Sequence, residues 1–179
     1  MVLHGLNQMH RDLKSGNLLV TTALSIKVAD FGTATFLRND GQVRKSGSNN
    51  NSAEDAIGAI SANYTKSDLT KGIGTYLWMA PEVLQGGRKY DLSIDVYSFG
   101  IVLWEVAAQQ RPWEDISDQS FFQDVLLEAI LAGRRPVVDN HWPAEYRSLM
   151  VRCWATNPQD RPSFDQIGLL LSAAPPSIF

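Results

Sequence analysis

Four side chains with charge or hydrogen-bonding chemistry stand close together in this sequence: Asp12, Lys14, Asn17 and Asp30. The first three lie in the run His10-Arg11-Asp12-Leu13-Lys14-Ser15-Gly16-Asn17, and the fourth opens Asp30-Phe31-Gly32. A carboxylate such as Asp12 can orient a hydroxyl and take up its proton. Lys14, two residues on, supplies a compact positive charge. The amide oxygen of Asn17 and the carboxylate of Asp30 are hard oxygen donors suited to a divalent cation. Taken singly, each residue has a plainer role. A lone Asp is a loop or capping residue, a lone Lys a solvated charge, and a lone Asn a turn former.

The ordered set reverses those readings. Five fixed positions in the first run give a chance match on the order of one in three million per start site. Asp30-Phe31-Gly32 and then Ala80-Pro81-Glu82 follow in sequence. The three motifs resemble the catalytic loop, the metal-binding triplet and the end of the activation segment of eukaryotic-type protein kinases. The resemblance implies ATP and Mg2+ as cofactors and phosphate transfer to a protein hydroxyl. It casts Asp12 as the residue that accepts the hydroxyl's proton and Lys14 as a charge near the γ-phosphate. It makes Asn17 and Asp30 metal ligands, with Lys14, Asn17, Leu19 and Asp30 around the nucleotide. Leu19 would form a floor for the adenine. His10 is expected to be structural, packed near Phe31.

Supporting positions fit the same pattern. Asp95, in Asp95-Val96-Tyr97-Ser98-Phe99-Gly100, resembles the aspartate that anchors the catalytic-loop backbone in this family. Arg161, in Arg161-Pro162-Ser163-Phe164, resembles the arginine that pairs with the activation-segment glutamate, here Glu82. Asp12-Leu13-Lys14 and Gly74-Thr75 resemble the serine/threonine pattern, with Thr75 bridging Asp12 and Lys14. Trp78 to Val83 and Asp95 to Glu105 are instead similar to tyrosine kinases. That mixture resembles the tyrosine-kinase-like group, whose members mostly phosphorylate serine and threonine. Arg11, next to Asp12, implies ordering of the activation segment by phosphorylation, with an upstream activating kinase as a partner. Thr65, Ser67 and Thr70 are candidate acceptors, and Thr70 is favoured because it lies nearest the segment's end.

The elements that must position these residues can be read from the pattern. Leu18-Leu19-Val20 and Ile26-Lys27-Val28-Ala29 predict a small β-hairpin between the two expected metal ligands. Residues 1–9 read as the tail of a helix entering a polar loop. The stretch from Arg38 to Asp68 is poor in large apolar residues and rich in Ser, Asn and Gly, so a disordered insert is expected there. It falls within an activation segment over 30–82. Helices are predicted over 92–108, over 120–132 ending at Gly133, over 144–154 after Pro143, and from an N-cap at Ser163 to about Ala174. The expected fold is therefore mainly α, the C-terminal lobe of the α+β protein-kinase fold, spanning 1–179, with a small hairpin that carries the metal ligands. No Gly-rich loop, strand lysine or partner glutamate occurs, so the N-lobe is expected to be absent and the isolated chain to have little activity. The alternative is a catalytically inactive half-kinase that serves as a protein-interaction module.

Bulk properties agree with these expectations. The chain has 179 residues, 44% hydrophobic and 20% charged, with a net charge of -3 and a pI near 5.6. That balance argues against a nucleic-acid partner bound through a basic face. The single cysteine, Cys153, excludes an internal disulfide and is expected to be a buried, inert thiol. No apolar run is long enough to span a bilayer, and no signal peptide is apparent, so a cytoplasmic location is the default. The implied partners are protein substrates.

Overall fold

The computed structural model describes residues 2–37, 75–85, 90–116 and 122–173. Helices among them are α1 (Val2–Gly5), α2 (Pro81–Leu84), α3 (Ser93–Ala108), α4 (Phe122–Leu131), α5 (Ala144–Cys153) and α6 (Phe164–Ala173). Strands are β1 (Gln8–Met9), β2 (Leu18–Val20), β3 (Ile26–Val28) and β4 (Thr35–Phe36). The chain is thus helix-rich with few strands, as expected.

Helix α3 is the centre. Its side chains are buried nearly all round, from Ile94 through Trp104, so it carries no clean polar stripe. Just ahead of it, Asp91 Oδ1 accepts the Ser93 N–H at 2.9 Å. The Tyr146, Leu149, Met150 and Cys153 face of α5 packs against it. The approach is close at Gly100, where a β-carbon would lie 2.9 Å from Cys153 Cβ and 3.0 Å from the Trp154 nitrogen. Tyr146 closes the interface by donating to Leu103 O at 2.6 Å.

Helix ends follow local chemistry. Beyond α4, Gly133 adopts φ 84°, and the Gly133 and Arg134 N–H groups return to Ile130 O and Ala129 O. That pattern satisfies carbonyls the helix would leave unpaired. At α6, Ser163 Oγ accepts the Gln166 N–H while Gln166 Oε1 accepts the Ser163 N–H, a reciprocal cap.

The β2–β3 hairpin is antiparallel, pairing Leu18 with Val28, Leu19 with Lys27 and Val20 with Ile26. Its turn is tied by the Thr21 N–H to Ser25 O and by the Ser25 N–H to Thr21 Oγ1. A second pair corrects the reading of residues 1–9 as helix then loop. Gln8–Met9 forms a strand that pairs with Thr35–Phe36. Two-residue strands carry no periodicity, so the sequence pattern misses them. The expected helices shift by a residue or so at their ends: 92–108 becomes Ser93–Ala108, 144–154 becomes Ala144–Cys153, and the last ends at Ala173. The helix expected over 120–132 is seen as Phe122–Leu131, and residues 117–121 lie outside the described set. The expected insert over 38–68 also lies outside it.

Candidate functional site

The loop from His10 to Asn17 is fixed from below by one buried carboxylate. Asp95, fully shielded on α3, accepts the His10 N–H at 2.7 Å, the Arg11 N–H at 2.8 Å and His4 Nε2 at 2.9 Å. A carboxylate removed from water needs such donors. The grip also holds Arg11 at φ 68°, a conformation that strains any residue with a β-carbon. Leu13, 3% exposed, plugs the loop into the core.

On this base the loop gathers three of the singled-out side chains. Lys14 Nζ donates to Asp12 Oδ2 at 2.9 Å and to Oδ1 at 3.2 Å. Asn17 Nδ2 donates to Asp12 O at 2.7 Å and to Asp12 Oδ2 at 3.1 Å. Those bonds assign the Asn17 nitrogen and turn its amide oxygen elsewhere. Asp30 is brought alongside by backbone. The Ala29 N–H donates to Asn17 O at 2.8 Å, one residue from Asp30. Asp30 itself is exposed and left-handed at φ 60°, with only a long bond, 3.4 Å, from the Gly32 N–H. Asn17 Oδ1 and the Asp30 carboxylate are therefore hard oxygen donors on neighbouring backbone, a donor set that suits Mg2+ and leaves room for further oxygen ligands.

His10 braces the two loops. Its Nε2 lies 2.9 Å from Ala29 O, and its ring meets Phe31 edge-on at 5.3 Å. Thr33 Oγ1 donates to His10 O at 2.9 Å. Leu19 sits on β2 and is 55% exposed.

The segment Thr75–Met79 is tied to the same helix, α3, that holds the loop. Tyr76, Leu77, Trp78 and Met79 are buried. Ser98 Oγ donates to Trp78 O at 2.8 Å, and Trp113 Nε1 donates to Leu77 O at 3.1 Å. Glu105 Oε2 accepts the Trp78 indole N–H at 2.6 Å, and its Oε1 accepts the Ser15 hydroxyl at 3.0 Å. Burial pushes the Glu105 carboxyl above the ordinary carboxylate value, while the Trp78 and Ser15 bonds and Arg111 pull it back. The Thr75 side chain and the whole of Thr70 lie outside the described set.

The expected Glu82–Arg161 pair is present and bidentate, at 2.5 and 2.9 Å. The Arg161 side chain is fully buried. Its guanidinium also reaches Ala155 O, Ser93 O and Thr156 O. Sequence reasoning did not find its companions. The Arg161 and Arg135 guanidiniums each lie over the Tyr97 ring, 5.1 and 5.0 Å from its centroid. Burial pushes the Tyr97 hydroxyl up to about 12, with the two arginines pulling the other way. His4 and Glu105 were missed as well. Glu105 ends the Asp95-to-Glu105 motif, but nothing local marks its contacts or those of His4, whose partners lie across the fold.

Comparison with known proteins gives the family. The family model described as the protein kinase domain matches residues 1–169. A probable serine/threonine-protein kinase of Dictyostelium discoideum is 36% identical over 165 residues, 92% of this chain and 10% of that protein. The dual specificity protein kinase shkA of the same organism is 36% identical over 167 residues, 92% of this chain and 27% of that protein. Mitogen-activated protein kinase kinase kinase 7 of Bos taurus is 32% identical over 160 residues, 89% of this chain and 22% of that protein. The chain thus spans at most about a quarter of these relatives' lengths. It belongs to the protein kinase domain family of eukaryotic type.

Proposed function

We propose that this chain carries the acceptor-aligning and metal-holding part of a serine/threonine kinase site that transfers the γ-phosphate of ATP to protein hydroxyls. The observation that carries the reading is the Asp12 carboxylate, held at once by Lys14 and Asn17, with Asp30 brought beside Asn17 across the hairpin base. Asp12 is fixed to orient a serine or threonine hydroxyl and to receive its proton. Lys14 places a positive charge between that carboxylate and the incoming phosphate oxygens. Asn17 through Oδ1 and Asp30 through its carboxylate would hold the metal, with Leu19 against the base of the nucleotide. Bound ATP-Mg2+ would supply the phosphoryl group and neutralise its oxygens.

The serine/threonine preference rests on Lys14 in the loop and on relatives named as serine/threonine kinases. The mixed motifs support a place in the tyrosine-kinase-like group. The Glu82–Arg161 pair would anchor the end of an activation segment over 30–82. Arg11 supports control by phosphorylation, with Thr70 as the acceptor: its Nε is buried without an acceptor among the described residues, as a site awaiting an anion would be. A cytoplasmic setting with signalling protein substrates fits this reading. The exposed apolar residues Leu19, Val20, Ile26 and Phe36 favour a second reading, an interaction module without catalysis.

The test is transfer from radiolabelled ATP-Mg2+ by the full-length protein to a generic protein substrate, followed by phosphoamino-acid analysis. Label on serine and threonine that disappears with Asp30→Asn supports the kinase reading. A folded protein that neither transfers phosphate nor binds ATP would leave the interaction module.

A further inference from the structure

We propose that Glu105 is a positioning residue that locks the Asp12–Asn17 loop to the Thr75–Met79 segment, and so sets the width of the acceptor groove. The proposal rests on the kinase reading above. The two segments are distant in sequence, yet both walls must stay in register for a hydroxyl to sit between them. Glu105, near the end of α3, bonds to each: Oε1 takes the Ser15 hydroxyl, next to Lys14, and Oε2 takes the Trp78 indole.

Among the described residues, Asp95, Ser98 and Trp113 each act on one of the two segments. Asp95 grips His10 and Arg11. Ser98 and Trp113 grip the Trp78 and Leu77 carbonyls. The Trp78 side chain is buried, so its N–H needs the acceptor that Glu105 provides. Glu105 is itself half-buried and does not touch Asp12, Asn17 or Asp30 through the bonds described, so its effect on the reaction passes through Ser15 and Trp78.

Its charge state should matter. The ionised carboxylate accepts both bonds with the strength of a charged acceptor, whereas the protonated form keeps only neutral bonds, its O–H turned to Ser15 Oγ. Arg111, past the end of α3, is the cation whose field reaches Glu105. Lys14, beside Ser15, is engaged with Asp12. In the facing segment Tyr76 stays un-ionised, because burial raises its pKa. Glu105→Gln is the informative variant. Its amide oxygen can face Trp78 while its nitrogen donates to Ser15 Oγ, which can accept as well as donate. That arrangement keeps the bridge and removes the titration.

The experiment reads backbone hydrogen exchange, as protection factors, across a pH series in wild type, Glu105→Ala and Glu105→Gln of the full-length protein. In parallel, steady-state kinetics are measured in the full-length protein. The expected result is lost protection in both 12–17 and 75–79 for Glu105→Ala at neutral pH, and a level between wild type and Glu105→Ala for Glu105→Gln. KM for the protein acceptor should rise on the order of 10-fold in Glu105→Ala, matching one lost hydrogen bond to a charged group, with KM for ATP unchanged. In acid, wild-type protection at both segments should fall to the Glu105→Gln level, while that of Glu105→Gln does not change.

Loosening confined to α3, or none in Glu105→Ala, would overturn the proposal. So would an identical pH response in wild type and Glu105→Gln, which decides the matter even if Glu105→Ala fails to fold. Were Asp12→Asn to transfer phosphate as fast as wild type, the kinase reading would fail, and the exchange data would still decide whether Glu105 couples the two walls.

Discussion

Asp95 shows how one side chain can set the geometry of residues it does not resemble. Its two oxygens take three donors, two of them backbone N–H groups of the loop that presents Asp12. Asp95→Asn would turn an NH2 group toward donors that need an acceptor. A loss of about 2–4 kcal/mol is expected, measured by urea unfolding, together with weaker phosphate transfer. Arg161→Lys replaces the bidentate contact to Glu82 with a single point charge and leaves the Ala155, Ser93 and Thr156 carbonyls under-served. Its cost should be about 2–4 kcal/mol by the same measurement. Asp12, Lys14, Asn17 and Asp30 were legible in the sequence because their spacing is local and their order distinctive. The contacts of Asp95 and Arg161 were legible only through the family resemblance. The contacts of His4 and Glu105 left no trace, because they are made with partners that only folding brings near.

Among the elements, apolar spacing located the long helices, and two short apolar runs around a polar turn located the β2–β3 hairpin, although its Leu19, Val20 and Ile26 are exposed. The β1–β4 pair and the 3₁₀ turns at Ser15–Asn17, Phe31–Thr33 and Thr75–Trp78 were illegible: they are too short for a period and are held by long-range bonds. These short pieces carry much of the site. The α3–α5 contact makes a sharper prediction. Gly100→Ala places a methyl group within 2.9 Å of Cys153 Cβ and 3.0 Å of the Trp154 backbone, so a helix-favouring substitution should destabilise. The expected loss is about 1–3 kcal/mol, read as a lowered Tm.

For the whole molecule, burial of neutral acids predicts a pH limit. Burial pushes the Cys153 thiol from 9.0 up to about 12, with Arg152 opposing it slightly. It pushes the Tyr97 and Tyr146 hydroxyls from 10.0 up to about 12. The folded chain keeps protons that the unfolded chain releases, so their stabilising contribution is complete below pH 9.0 and is lost as pH rises toward about 12. Thermal melts should therefore show a Tm that falls steeply across that window. Below it, Cys153 should resist alkylation by iodoacetamide until the protein unfolds, because it is buried and un-ionised. Composition foretold a folded chain with an inert thiol, but not which hydroxyls would be sealed in the core.

The central claim is that the Asp12 carboxylate, held by Lys14 and Asn17, aligns an acceptor hydroxyl for phosphate transfer. Its most direct test compares kcat for radiolabelled phosphate transfer in wild type and Asp12→Asn full-length protein, at saturating ATP-Mg2+, with circular dichroism confirming that both are folded. The account predicts a drop of roughly 10²- to 10⁴-fold in kcat with nucleotide binding retained. A folded Asp12→Asn protein that transfers phosphate at the wild-type rate would contradict it.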